Sequence, residues 1–124
     1  MPSVLVAEDE EPIVEALSFL MEQAGLSVRV APDGPTALRM VEAAPPDLML
    51  LDVMMPGCDG FEVARAVRSD PRYRNVRILM LTAKNRPIDR RAGQDLAVDG
   101  YVTKPFSNSD VVERVKALLG MAVT

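Results

Sequence analysis

The residues able to do chemistry in this chain stand where apolar runs end. Glu8 and Asp9 follow Val4–Ala7, Asp52 follows Leu48–Leu51, Thr82 follows Ile78–Leu81, and Lys104 follows Tyr101–Thr103. If those runs are parallel strands of one sheet, their carboxyl ends share an edge, and ligands of open α/β sheets bind at that edge. Three carboxylates, a hydroxyl and an ammonium then meet in one place. Gathered carboxylates suit a hard divalent cation. A lysine beside them suits an anion such as a phosphoryl group.

What the chain lacks narrows the chemistry further. It has no histidine, which excludes a Ser-His or Cys-His nucleophile, a histidine general base and a His-ligated zinc. The one cysteine, Cys58, rules out an internal disulfide and fits a reducing cytoplasm; it reads as a small loop residue with no redox role. A formal net charge of −4 argues against nucleic-acid binding by the domain itself. Membrane spanning is not expected, since no apolar run approaches the roughly 20 residues required, and Met1-Pro2-Ser3 leads straight into the first run without a signal peptide.

The elements that must position these residues alternate strand with helix. Val4–Ala7 and Leu48–Leu51 are unbroken apolar runs, as expected of strands buried on both faces. Glu10–Ala24 carries Ile13, Ala16, Leu17, Leu20 and Met21 at helical spacing, with Pro12 in the first turn and Gly25 as the stop. Ser27–Ala31 reads as a strand, Gly34–Ala43 as a helix, and the segment after Asp59-Gly60 as a third helix bearing Phe61, Val63, Ala64 and Val67. Ile78–Leu81 and Tyr101–Thr103 complete five strands. A helix over Pro87–Ala97 is weakly encoded, because Gly93 interrupts it at a cost of about 1 kcal/mol. The last helix runs from Ser107 to Leu119 behind a Ser or Asn cap. One domain, residues 1–124, accounts for the whole pattern.

Glu8-Asp9-Glu10 after the first run, Asp52-Val-Met-Met-Pro56-Gly57-Cys-Asp59-Gly60, Leu-Thr82-Ala83 and Tyr101-Val-Thr-Lys104-Pro105-Phe106 together resemble the receiver domain of bacterial two-component response regulators. The resemblance runs from Val4 to Leu119 with every motif in order. Each motif alone has a bland explanation, such as an acidic first turn favoured by the helix dipole, which is the preferred reading of Glu10 and Glu11. In combination they are specific. The family implies a flavodoxin-like, doubly wound five-stranded parallel sheet of order 2-1-3-4-5 with five helices. It also implies Mg²⁺-dependent phosphorylation by a sensor histidine kinase or a histidine phosphotransfer protein.

By that resemblance Asp52 is the nucleophile, Thr82 and Lys104 contact the phosphoryl oxygens, and Mg²⁺ is held by Glu8 through water, by Asp9 and Asp52 directly, and by the Met54 carbonyl. Thr82 and Tyr101 form the switch, and the face made by the fourth predicted helix, the last strand and the last helix meets a downstream protein target. Met54 and Lys84 occupy the positions that tune water access to the phosphoryl group. Lys104-Pro105 is expected to be a cis peptide. The kinase-facing surface is expected at Pro12, Ile13 and Ala16 with the loop Lys104–Phe106.

Departures from the family pattern carry expectations of their own. Glu8 stands where aspartate is common. Gly100 lacks a carboxylate used in dimer ion pairs, so the chain is expected to be a monomer or a phosphorylation-dependent dimer of another kind. Ala97 stands where a left-handed glycine usually ends the fourth helix, which should alter that turn. An aspartate-nucleophile phosphatase needs a second carboxylate where this chain has Met54, and Glu8-Asp9-Glu10 would repel the phosphate of a flavin or nucleotide. No enzymatic turnover is expected beyond self-phosphorylation and slow dephosphorylation. With five residues after Leu119, a stand-alone cytoplasmic regulator is the favoured expectation, and the excised receiver of a DNA-binding or enzymatic regulator is the alternative.

Overall fold

Alternation within the central strands determines the architecture. In a computed structural model, which describes residues 1–57, 59–83 and 97–121, the elements are β1 (Ser3–Ala7), α1 (Glu11–Gln23), β2 (Ser27–Ala31), α2 (Gly34–Ala43), β3 (Leu48–Asp52), α3 (Gly60–Ser69), a 3₁₀ turn at Pro71–Tyr73, β4 (Arg77–Ala83), β5 (Gly100–Lys104) and α4 (Asn108–Leu118). All strands are parallel, in the order β2-β1-β3-β4-β5. Successive side chains of a strand point to opposite faces. Leu5, Ala7, Met49, Leu51, Ile78 and Met80 therefore pack on one side with Ala37 and Val41 of α2 and Val63, Ala64 and Val67 of α3. Val4, Val6, Leu48, Leu50, Leu79, Leu81 and Val102 pack on the other with Leu17 and Met21 of α1 and Val111 and Val115 of α4.

Every residue of β3 is buried, because it is the middle strand and both of its faces are covered. Each large side chain buried this way contributes about 1.5–3 kcal/mol. The result is a rigid platform under the edge where the strands end. Side chains start three of the helices: Asp33 accepts the Thr36 N–H at 2.7 Å, Asp59 the Glu62 N–H at 2.9 Å, and Ser107 the Asp110 N–H at 3.0 Å. α1 has no such cap and carries Pro12 in its first turn instead. Arg29 of the edge strand β2 donates to the Met40 and Ala44 carbonyls at the end of α2, supplying the cation that helix lacks in its own last turn.

Four helices lie among the described residues; the helix expected over Pro87–Ala97, apart from Ala97 itself, the tuning position Lys84 and the loop residue Cys58 lie outside them. Strand ends differ from the expectation in a useful way. β3, β4 and β5 run on through Asp52, Thr82 and Lys104, because ladder hydrogen bonds join backbone groups and do not depend on an apolar side chain. The polar residues are thus the last rungs of the sheet and share its rigidity. No helix among the described residues is long and apolar enough to cross a membrane.

Candidate functional site

Register sets the geometry of the sheet edge. Ala7 pairs with Leu51, Asp52 with Leu81, Thr82 with Thr103 and Ala83 with Lys104, so four neighbouring strands end at nearly one level. Glu8 is fully buried, Asp52 is 4% exposed and Thr82 2%; these are the buried polar side chains of the described residues. Asp9 is exposed at the rim. Carboxylate oxygens of Glu8, Asp9 and Asp52 lie within 4.8 Å of one another.

Lys104 binds this cluster together. Its Nζ lies 3.0 Å from Glu8 Oε2, 3.3 Å from Asp52 Oδ2 and 4.0 Å from Glu10 Oε1. The Met54 backbone N–H donates to Asp52 Oδ1 at 3.3 Å, and the Glu10 N–H to Glu8 Oε1 at 3.2 Å. Burial pushes the Glu8 carboxyl up to about 7, with help from the Asp52 charge and against the Lys104 hydrogen bond. For Lys104, burial alone would lower the pKa, but the Glu8 hydrogen bond and the charges of Asp52 and Glu8 outweigh it and hold the ammonium above the ordinary lysine value. The lysine is therefore a permanent cation. With all three acids ionised it leaves the cluster negative, and hard oxygen donors with excess negative charge fit a divalent cation such as Mg²⁺.

The remaining sequence-predicted positions divide. Thr82 is one rung beyond the partner of Asp52 on β4, and among the described residues no hydrogen bond joins its hydroxyl to Asp52 or Lys104. Met54 is 61% exposed above the site. Tyr101 is half-buried and packs against the core on the α2–α3 side, and its carbonyl accepts the Arg114 Nη1–H at 2.9 Å. The Lys104-Pro105 peptide is cis. Ala97 keeps a left-handed backbone, with φ of 56°, so the alanine adopts the conformation expected to need glycine and the turn there is not remade.

Sequence reasoning passed over two contributors. Glu10, read as a helix-dipole residue, holds Glu8 through its backbone N–H and brings a further carboxylate toward Lys104. Gly60, quoted only as part of a motif, is where α3 leans on the end of β3: its N–H donates to the Val53 carbonyl at 2.8 Å, and a Cβ there would run into the Asp52 carbonyl oxygen. The Asp59-Gly60 step was the available signal, since a capping residue followed by glycine marks a helix that must approach something closely.

Known proteins share this fold. The family model of the response regulator receiver domain matches residues 4–116. A Chloroflexus aurantiacus protein assigned to the response regulators superposes with a TM-score of 0.92 at 34% identity, over 96% of this chain and 98% of its own. The chemotaxis protein CheY4 of Vibrio cholerae does so at 0.88 and 32%, over 95% and 98%. The signal receiver domain of a signal transduction histidine kinase from Syntrophus aciditrophicus does so at 0.90 and 27%, over 100% and 98%. With the match spanning nearly its whole length and the same sheet order beneath it, this chain belongs to the response regulator receiver domain family.

Proposed function

We propose that this receiver domain is a phosphoacceptor in two-component signalling, with Asp52 as the residue that takes the phosphoryl group. The donor is a phosphohistidine on a sensor kinase or phosphotransfer protein, since the chain has no histidine of its own. A carboxylate oxygen of Asp52 attacks phosphorus, a P–O bond forms, the P–N bond of the donor breaks, and its imidazole leaves with the electron pair. Bound Mg²⁺, held by Asp9 and Asp52 directly, by Glu8 through water and by the Met54 carbonyl, would supply the positive charge that lets two anions approach.

The chain's own groups do the positioning. Lys104, already 3.3 Å from Asp52, offsets charge on the phosphoryl oxygens; the Thr82 hydroxyl and the Met54 N–H donate to them. Pairing of Thr82 with the phosphoryl group vacates space for the Tyr101 ring to turn inward, altering the face of β5 and α4 that a target protein reads. Signalling of this kind is information transfer, with self-phosphorylation and slow dephosphorylation as the only chemistry. The domain acts on a protein partner from the cytoplasm, as monomer or phosphorylation-dependent dimer.

The observation that carries the proposal is the buried Asp52 carboxylate between Lys104 and the acidic pair Glu8–Asp9. Intact-protein mass after incubation with a small acyl phosphate tests it. One added phosphoryl group is expected in the presence of Mg²⁺, and none with chelator or in Asp52→Ala. A failure to label where a control receiver labels would mean that the fold serves binding alone.

A further inference from the structure

We propose that Arg68 is a positioning residue: it locks the approach to β5 onto the far end of α3, so that α3 transmits displacement of the Asp52 loop to the strand carrying Tyr101 and Lys104. The guanidinium spends every nitrogen on this junction. Nε donates to the Ala97 carbonyl at 3.1 Å, Nη1 to the Val76 carbonyl at 2.8 Å, and Nη2 to Asp99 Oδ2 at 2.8 Å. The same Asp99 oxygen accepts the Ile78 N–H at 2.7 Å, and the Asp99 N–H donates to the Ile78 carbonyl at 2.8 Å. One side chain thus fixes the left-handed Ala97, the start of β4 and the residue before β5. The Arg68 and Asp99 side chains are 18% and 23% exposed, and the bond to the Val76 carbonyl is the most sheltered of the three.

The other end of α3 is tied just as tightly to the phosphoacceptor loop. Gly60 donates to the Val53 carbonyl and touches the Asp52 carbonyl so closely that no Cβ fits between them. Between the two ends, Val63, Ala64 and Val67 press one face of the helix into the core. A ten-residue helix is about 15 Å long and moves as a unit. Anything that shifts the Asp52–Val53 backbone therefore pushes on Arg68, and Arg68 grips the chain at Ala97 and Asp99, three residues and one residue before β5 begins at Gly100. This route is separate from the Thr82–Tyr101 exchange. A lysine could keep the charge but could not span three acceptors in a plane.

The test uses the full chain with ring-labelled tyrosine and backbone amide NMR, comparing wild type with Arg68→Lys and Arg68→Met. Tyr73, buried in the core with its carbonyl bonded to the Val76 N–H, gives the second ring signal and reports on the α3 side of the junction. Mg²⁺ and beryllium fluoride, a stand-in for the phosphoryl group, are added to load Asp52; this arm rests on the phosphoacceptor reading. In wild type the Met54 amide and the Tyr101 ring should both shift. In the variants the Met54 shift should persist while the Tyr101 shift falls by about half or more. A full Tyr101 response in both variants overturns the proposal. If wild-type Met54 does not respond, the phosphoacceptor reading has failed, and the unloaded proteins decide. Positioning by Arg68 then requires Ala97–Asp99 amides and the Tyr101 ring to differ between wild type and Arg68→Lys, and unchanged resonances there overturn it. Should Arg68→Met fail to fold, Arg68→Lys, which keeps the stem and the charge, carries the test alone.

Discussion

Burying Glu8 gives this protein an unusual pH profile. Its carboxyl titrates near 7 in the fold against 4.5 in the ordinary state, so the folded chain holds that proton more tightly than the unfolded chain does. Between those two values the native state carries one more proton, and stability must fall as pH rises. A gap of that size is worth about 3 kcal/mol, fully present below pH 4.5 and gone above about 7. At about 2.1 cal/mol/K per residue, that is on the order of 10 °C of Tm for the 124-residue chain. The other shifted groups lie outside the window. Lys104, raised, contributes stability that is lost only as pH climbs past the lysine range. Asp33 and Asp70, lowered by hydrogen bonds from Thr36 and Arg72, contribute stability that is lost only as pH falls below the aspartate range. Chemical denaturation followed by circular dichroism, with chelator, at several pH values from 5 to 8 measures the slope. Wild type should lose stability across this range, Glu8→Gln should be flat by comparison, and Mg²⁺ at pH 8 should restore wild type more than the variant. Parallel curves for the two proteins would refute the reasoning, because the slope would then belong to other groups.

Other substitutions probe the scaffold around the site. Gly60→Ala drives a Cβ into the Asp52 carbonyl and to 3.0 Å from Val53 Cα, both backbone; it should cost about 3 kcal/mol in denaturant unfolding and abolish phosphodonor labelling, and wild-type stability would contradict the close approach. Ala97→Gly relieves the left-handed backbone and should stabilise by about 0.5–1 kcal/mol, read as a raised denaturation midpoint with unchanged m-value. The Ser18 hydroxyl is buried in α1 without a hydrogen-bond partner, so Ser18→Ala should leave stability equal or raise it by about 1 kcal/mol; a clear loss would reveal a partner such as bound water.

The sequence made the platform legible because its signals were redundant. Leu48–Leu51 is apolar at every position, which only a strand covered on both sides requires, and the alternating packing of Leu48 and Leu50 against Met49 and Leu51 follows from the pleat. The strand ends were legible too, since polar residues closing apolar runs mark an edge. What stayed hidden was anything set by distance rather than type. Glu10 could not be separated from an ordinary first-turn acid, because its part is played by a backbone N–H that any residue possesses. Arg68 looked like one of several surface arginines, since the carbonyls it reaches belong to residues 76 and 97, brought near only by the crossing of α3 over the sheet. Ala97 was expected to change its turn, yet the surrounding bonds from Arg68 hold the left-handed conformation against a local preference of about 1–2 kcal/mol.

Three features in and around the site share a physical logic. Each is locally unfavourable: an acid with no exposure, an alanine with positive φ, a helix start pressed against a carbonyl. A sheet with five paired strands and two filled faces is stable enough to tolerate them, and they concentrate around Asp52 and at the far end of α3 rather than being scattered. Strain in that pattern is what a two-state device needs, because a ligand shifts an equilibrium only by the difference in free energy it makes between the states. A cation bound at Glu8–Asp9–Asp52, as the proposed function requires, would favour the ionised Glu8 and compete for it with Lys104, leaving the ammonium, now 3.0 Å from Glu8, to meet an incoming anion. On that reading the buried glutamate would set the order of events, cation before anion, with the lysine passed from the Glu8 carboxylate to the phosphoryl group.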